Sequence, residues 1–186
     1  ARMCISLMEA TDDQDIIDLC IQQVNLFVDN MYEGHFRSDI RDSYMGTGFQ
    51  SPLLQLAAWK IYEKNQDVTW LNYIYDEMKS DMDWRHTNRI DSNGLYFCQG
   101  LECGDGRANS IAIDVNSEMY LSWIAMSYMA DVLGKSADYN TYVTNSEFLD
   151  GKISKFWNSG DSYFFDLQKN SYDLLTDPYE HGTSFA

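Results

Sequence analysis

Apolar side chains recur at helical spacing in six successive stretches of the chain, and this pattern constrains the fold more than any other feature. One stretch covers residues 16–31, another covers 71–82, and a third covers 115–132. Signals for helix ends separate the stretches, such as Gly134 in the C′ position after residue 132. The sequence therefore predicts an all-α chain of about six helices, joined as consecutive hairpins.

Local signals give helix starts and one β-hairpin. The predicted capping residues, which include a capping box formed by Thr11 with Gln14, are Thr11, Ser51, Asp67 and Ser136. Near the C-terminus, apolar residues 162–167 and 172–175 flank a turn at 169–170. A short β-hairpin is expected there.

The charge balance excludes two classes of partner. The chain has 29 acidic and 13 basic residues, which give a net charge of −16. A chain this acidic repels phosphate, so binding to nucleic acid or to an anionic membrane surface is excluded. No apolar run reaches the about 20 residues of a membrane helix, so no membrane insertion is expected in this segment.

Two architectures accommodate consecutive helical hairpins: an α-solenoid and part of an (α/α) barrel. A solenoid repeats at a fixed period. The helix pairs of this chain do not resemble one another, and their connections differ greatly in length. The barrel is therefore favoured, with residues 1–186 as a single segment of it.

The long loop at 88–110 is the candidate functional segment. It has no apolar period and carries four glycines, and long structured loops in compact domains are commonly functional. Glu102 and Asp105 lie three apart across a glycine, so one loop could direct both carboxylates into a cleft for general acid catalysis. Spacing alone favours solvated carboxylates.

Several motifs occur in the order of a known family. They are QSPLLQLAAWKIY at 50–62, tryptophan 84 with NRIDSNGL at 88–95, GLECGD at 100–105, AIDVNSEMY at 112–120, and KFW with YFFD at 155–166. Together they resemble the (α/α)6-barrel glycosidases of glycoside hydrolase family 63, the processing α-glucosidase I group with its bacterial relatives, and the related trehalases. The resemblance covers about residues 40–167.

The resemblance implies an inverting glycoside hydrolase that acts on α-linked glucose-type oligosaccharides. Asp105 would be the general acid, although it lies one position before the aspartate of the family motif, where this chain has Gly106. The base would be a glutamate outside this segment. Six helices of an expected twelve imply about half of an (α/α)6 catalytic domain, which would pack against the remainder of its own barrel.

Candidate carbohydrate-binding residues lie in or beside the same loop. Trp84 and Tyr96 border it, as a surface for sugar stacking must, and Glu102 and Arg107 could bind sugar hydroxyls. Taken singly, Trp84 and Tyr96 are expected to pack rather than to bind, and Arg107 could simply be solvated. No cofactor is implied.

The other candidate metal or redox groups favour structural interpretations. His35, His86 and His181 have no metal-ligand spacing and are predicted to be surface residues, while Cys4 and Cys20 are predicted to be core residues. No cysteine occurs in a Cys-x-x-Cys pair, so no metal site is predicted. Cys98 and Cys103 flank a turn and could pair in an oxidising compartment, and the compartment stays open.

Two other functions stay open. A non-catalytic helical binding or scaffold protein would have no cleft lined by residues 88–110. Another (α/α)-barrel sugar enzyme, an epimerase or a lyase, would need a histidine or tyrosine base, so substitution of His35 or His86 should abolish its activity.

Overall fold

The computed structural model describes residues 1–36, 52–97 and 110–175. These residues form six α-helices, so the prediction of an all-α chain is confirmed. The helices are α1 (Arg2–Ala10), α2 (Gln14–Asp29), α3 (Leu54–Asn65), α4 (Val68–Asn88), α5 (Ile113–Val132) and α6 (Ser136–Ile153). Four two-residue strands accompany them: β1 (Ser110–Ile111), β2 (Trp157–Asn158), β3 (Tyr163–Phe164) and β4 (Leu167–Gln168).

Local chemistry explains most of the helix ends. Asp67 caps α4 by accepting a hydrogen bond from the Trp70 N–H at 3.0 Å, as predicted. Gly134 follows α5 with a φ of +68°, the left-handed conformation that glycine adopts without steric cost.

Of the other three predicted capping residues, two do not cap a helix and one lies outside the described residues. The capping box at Thr11 is wrong, because Asp13 is the N-cap of α2 and accepts from the Asp15 N–H at 2.9 Å. The Thr11 hydroxyl instead accepts from the Asp13 N–H. Ser136 is the first residue of α6 rather than its cap. Ser51 lies outside the described residues.

The helices pack as three antiparallel hairpins with a common direction. At one end, Arg2 of α1 bonds Glu118 near the start of α5, and the Ser122 hydroxyl donates to the Pro52 carbonyl just before α3. At the opposite end, Lys64 at the close of α3 reaches Asp12 between α1 and α2. Helices α1, α3 and α5 therefore run one way, and α2, α4 and α6 run back.

This arrangement produces two layers. Helix α3 packs between α1 and α5, while α2 packs on α4. Tyr75 and Lys79 of α4 bond Asp138 of α6, which extends the second layer. Alternation of consecutive helices between two layers is the arrangement of part of an (α/α) barrel. The chain leaves α2, α4 and α6, and enters α3 and α5, at the end of the bundle where α5 begins.

The C-terminal β-structure differs from the predicted pairing. β2 pairs with β3, and β4 pairs with β1 in an antiparallel ladder that joins Leu167 to Ile111. The predicted pairing of 162–167 with 172–175 forms only over a short stretch. It has a bridge between Leu167 and Leu174 and a hydrogen bond from the Leu175 N–H to the Asp166 carbonyl, around a turn where Asn170 has a φ of +85°. The prediction of a short β-hairpin near the C-terminus is thus confirmed. Its strand pairs, however, are β2 with β3 and β4 with β1.

One hydrophobic core joins the helices, and its largest members include Trp123, Tyr75, Tyr142 and Phe156. Cys4 and Cys20 belong to this core as free thiols, as predicted. None of the helices in the described ranges is both long and apolar enough to cross a membrane.

Candidate active site

The described residues give the surroundings of the predicted site. Asp105, Glu102 and Arg107 lie outside the described residues, as do Cys98, Cys103 and His181. Trp84 and Tyr96 lie within them, at the end of the bundle where α5 begins. Side chains near Trp84 and Tyr96 form hydrogen bonds to the backbone at two points. One point is Phe36, just before residues 37–51, and the other is Tyr96, just before residues 98–109.

Asp81 connects three parts of this end. It lies on α4 and is 1% exposed. Its Oδ1 accepts from the Phe36 N–H at 2.9 Å, and its Oδ2 accepts from the Gln55 side chain at 3.0 Å. One carboxylate thereby joins α4 to the first turn of α3 and to the segment after α2.

Arg85 supplies the charge that allows Asp81 to be buried. Its Nε donates to Asp81 Oδ2 at 2.8 Å, and its second amino group lies 3.3 Å from Oδ1. This forked contact between residues one helical turn apart directs both donors at both carboxylate oxygens. A buried carboxylate without such a partner would be strongly destabilising. Asp81 and Arg85 therefore form a buried ion pair that connects structural elements, rather than a solvated surface pair.

Asn116 holds the backbone of the segment that follows α4. Its side chain is fully buried. The Tyr96 N–H donates to Asn116 Oδ1 at 2.8 Å, and Asn116 Nδ2 donates to the Tyr96 carbonyl at 2.8 Å. Nδ2 also donates to the Ala112 carbonyl. These bonds fix the backbone at residue 96, two positions before the segment that carries Glu102 and Asp105.

The Tyr96 hydroxyl lies in a polar contact inside the core. The indole N–H of Trp123 donates to it at 3.2 Å, and His86 Nδ1 lies 2.8 Å from it. Tyr96 is 2% exposed.

Burial raises the pKa of Tyr96 well above its usual range, although the Trp123 bond and the Arg85 charge both act to lower it. The phenol therefore keeps its proton at neutral pH. A neutral, buried phenol is poorly suited to serve as the base of a lyase or an epimerase. Its predicted role in substrate binding stays a prediction.

Trp84 has one aromatic and one cationic neighbour. The His35 ring stacks on it with centroids 4.2 Å apart, and the Arg89 guanidinium lies 4.9 Å from the ring centroid. Stacking and cation–π contacts of this kind orient an indole. Its use as a sugar-stacking surface stays a prediction.

His35 corrects an expectation from the sequence. It was expected at the surface but is 7% exposed, because it packs against Trp84 next to the Asp81 contact with Phe36. His86 is exposed, as expected. Within the described residues, no group of three or more His, Cys, Asp or Glu side chains is placed to hold a metal ion.

A tight turn follows α4 and directs the chain toward Tyr96. Asp91 Oδ1 accepts from the N–H groups of Asn93 and Leu95, each at 2.9 Å. Gly94 has a φ of +77°, and a Cβ there would lie 2.5 Å from the Phe148 ring of α6. Only glycine fits both the backbone conformation and this close approach. The turn therefore packs closely against Phe148 of α6, and the residue that follows it, Tyr96, is bonded to Asn116 of α5.

The site residues that the sequence analysis missed are Asp81, Arg85, Gln55 and Asn116. The four-residue spacing of Asp81 and Arg85 was a visible signal for an ion pair on one helix face. Nothing in the local sequence reveals that this pair also bonds residues of α3 and the segment after α2. Chemically, these groups position the segments around them, and no described group among them is placed as a proton donor to a substrate.

Comparisons with known proteins bear on the function. The family model for the "Mannosylglycerate hydrolase MGH1-like glycoside hydrolase domain" matches residues 37–116. No curated protein matches the chain. Among solved structures, a "Sialidase" matches with a TM-score of 0.60 and 18% identity, covering 69% of this chain and 12% of the sialidase chain. At that identity the likeness concerns the fold alone, and this chain spans about an eighth of the sialidase's length.

The matched range contains most of the supporting residues described above. It includes Asp81, Arg85, Tyr96 and Asn116, and it runs from the connection after α2 to the start of α5. This match supports a relationship between residues 37–116 and the glycoside hydrolases.

Proposed function

We propose that this chain contributes the general-acid side of an inverting glycoside hydrolase site. Asp105 protonates the leaving oxygen, and a glutamate outside this segment activates water. Inverting enzymes keep the two carboxyl groups about 6.5–9.5 Å apart to admit that water. The chain would form about half of an (α/α)6 catalytic domain and pack against the remainder of that barrel.

One observation carries this proposal. The glycoside hydrolase match spans residues 37–116, and the buried contacts of Asp81 and Asn116 hold the backbone at Phe36 and Tyr96, immediately before residues 37–51 and 98–109. A fixed framework under two connections at one end of a helical bundle is what a catalytic loop needs, because small displacements of reacting groups cost large factors in rate.

The substrate has two candidates. The motif resemblance favours α-linked glucose-type oligosaccharides, with Trp84, Tyr96, Glu102 and Arg107 as binding residues. The matched family is described by mannosylglycerate hydrolase, which favours mannosylglycerate. Assays of the complete enzyme with maltooligosaccharides and with mannosylglycerate would decide between them by the ratio of kcat/KM values.

Asp105→Asn in the complete enzyme tests the catalytic assignment. Asparagine keeps the shape of the side chain but delivers no proton. Turnover of a substrate with a poor leaving group should fall by about 100-fold or more, whereas hydrolysis of an aryl glycoside or a glycosyl fluoride should fall far less. Glu102→Gln is the matched control, and it should weaken both substrates alike if Glu102 orients hydroxyls.

The outcomes separate the alternatives. A selective loss at Glu102→Gln, with equal losses at Asp105→Asn, would transfer the acid role to Glu102. Unchanged rates in both variants would reject this site. Absence of any hydrolysis by the complete protein would favour the non-catalytic binding or scaffold function. Loss of activity on substitution of His35 or His86, with both carboxylates dispensable, would favour a lyase or an epimerase.

The pH profile gives a second test of the acid. A general acid must be protonated to act, so kcat/KM should fall as the pH rises through the pKa of Asp105. Asp105→Asn should remove that alkaline limb while the acidic limb, which reports the base, persists. An alkaline limb that survives in Asp105→Asn would assign the acid to another group.

A further inference from the structure

Three exposed aromatic side chains lie on the β2–β3 hairpin. Trp157 is 43% exposed, Tyr163 is 43% and Phe164 is 41%. Aromatic rings of this size are normally buried, because each removes a large apolar area from water. Their joint exposure on one short hairpin calls for a function at the surface.

Trp157 and Phe164 form a pair on one face of the hairpin. They are directly opposed in the antiparallel ladder, so their side chains point to the same side. Their ring centroids lie 4.9 Å apart and their ring planes are inclined at 65°. This edge-to-face contact orients the two rings relative to each other. Tyr163 opposes Asn158 and therefore lies on the other face.

The hairpin is held rigidly by its own polar groups. Asn158 Nδ2 donates to Asp161 Oδ2 at 2.8 Å, and Asn158 Oδ1 accepts from the Gly160 N–H at 2.9 Å. At its base, the Phe165 N–H donates to the carbonyl of the fully buried Phe156 at 2.8 Å. A surface that is already ordered loses little conformational entropy when a ligand binds.

The hairpin belongs to the same end of the molecule as the candidate active site. Asp166, two residues after Phe164, accepts from the Ile113 N–H at 2.9 Å in the first turn of α5. β4 then pairs with β1, whose Ser110 directly follows the segment that carries Glu102 and Asp105. The aromatic pair is thus fixed to the element that follows the candidate catalytic segment.

We propose that Trp157 and Phe164 form a stacking surface for a pyranose ring of a neutral oligosaccharide, as an outer subsite of the glycosidase. This inference rests on the proposed function. The apolar C–H face of a pyranose packs on flat aromatic rings, and the exposed Asp161 at the hairpin turn can accept hydrogen bonds from hydroxyl groups.

Charge and size select this ligand over others. The net charge of −16 disfavours a polyanionic ligand at this exposed surface. Two rings on one face of a four-residue ladder are much smaller than the surface of about 800 Å² per partner in a stable protein interface. A single sugar ring matches the size of the pair.

Binding of neutral oligosaccharides to the full 186-residue chain tests the proposal. Titration with maltopentaose and with an α-mannopentaose would be followed by the indole N–H signal of Trp157 in NMR spectra, assigned from its absence in Trp157→Ala. We expect millimolar binding that weakens at least tenfold in Trp157→Ala and in Phe164→Ala. Trp157→Tyr should retain most of it. Tyr139→Ala removes a comparably exposed ring from α6 and should leave the affinity unchanged.

Each outcome decides the proposal. Absence of binding by the wild-type chain at about 10 mM oligosaccharide, or unchanged affinity in Trp157→Ala and Phe164→Ala, would overturn it. Self-association that disappears in Trp157→Ala, without sugar binding, would instead identify a face between two copies of the chain. Oligosaccharide binding by a complete protein that hydrolyses nothing would retain the stacking surface and reject the proposed function.

Discussion

At the scale of single residues, substitution of the buried Asp81 should cost considerable stability. In Asp81→Asn the buried ion pair with Arg85 would be lost, and one acceptor of the contacts with Phe36 and Gln55 would become an amide group. The free energy of unfolding should fall by about 3–5 kcal/mol. Urea unfolding of both proteins, monitored by circular dichroism, would measure the difference.

Asp83→Asn is the matched control. Asp83 lies two positions away on the same helix, is largely exposed, and reaches Lys79 only at 3.9 Å. Its substitution should change stability by less than about 0.5 kcal/mol. Equal effects of the two substitutions on stability would contradict the role of Asp81 in a buried ion pair.

Asp138 gives a prediction about pH. Its carboxylate accepts from Lys79 at 2.8 Å and from the Tyr75 hydroxyl at 2.9 Å. Burial acts to raise the pKa of Asp138, but these hydrogen bonds and the charges of Lys79 and Lys135 outweigh it and lower the pKa. The folded protein therefore binds this proton less tightly than the unfolded chain.

Such a group stabilises the fold above its unfolded pKa of about 3.9, and that contribution is lost as the pH falls through the lower folded value. Asp138→Asn should therefore destabilise the protein by about 1 kcal/mol at pH 7, and the difference should vanish near pH 2. Asp150→Asn, an exposed position on α6, should show less than about 0.5 kcal/mol at either pH. A difference that grows as the pH falls would contradict the assignment.

The residue scale is also where sequence reasoning failed most clearly. His35 is buried against Trp84, and these residues are far apart in the chain. Thr11 and Asp13 are both good capping residues, and the choice between them depends on where the chain leaves α1. Local patterns carry neither kind of information, since tertiary contacts decide both.

At the scale of helices, the same substitution of two glycines by alanine should change stability in opposite directions. Gly134 has a φ of +68° after α5, and Gly151 lies inside α6, with nothing within 4 Å of a Cβ added at either position. Gly134→Ala should destabilise by about 1 kcal/mol through backbone strain alone. Gly151→Ala should stabilise by up to about 1 kcal/mol, because alanine favours the helix.

Thermal and urea unfolding of the two variants would check the prediction. Because space is free at both sites, packing cannot produce the difference between them. Effects of the same sign at Gly134 and Gly151 would show that the end of α5 does not depend on the left-handed conformation.

Helices were predictable at this scale, whereas strand partners were not. The stripe at 71–82 and the cap at Asp67 identify α4 because a helix is encoded by neighbours within one or two turns. The pairing of β4 with β1 joins Leu167 to Ile111 across two helices. A two-residue strand has too short a pattern to specify such a distant partner.

For the whole molecule, the net charge of −16 predicts a dependence on salt. Acidic groups repel one another more strongly in the compact state than in the unfolded chain, and salt screens that repulsion. We expect Tm to rise by a few degrees between about 10 and 200 mM NaCl. Exposed ion pairs such as Lys64–Asp12 oppose this trend only weakly. A Tm that falls with salt would show that attractive pairs dominate.

The candidate site was predictable from the sequence only in its outline. The glycine-rich segment after α4 was visible in the sequence, and the family match includes that segment. The buried supports, Asp81 with Gln55 and Asn116 with Tyr96, were missed because each joins two elements. Residues that hold a site in place are set by three-dimensional packing, whereas loop composition is visible in one dimension.

The joining of β4 to β1 also has a consequence for the order of folding. The hairpin of α5 and α6 brings together neighbours in the chain, so it can form early, whereas the ladder between Leu167 and Ile111 must wait until that whole hairpin is in place. Pulsed hydrogen exchange should therefore find the amides of α5 protected before that of Leu167. The end of the molecule proposed to do the chemistry would be the last to assemble, after the rest of the bundle has formed a template for it.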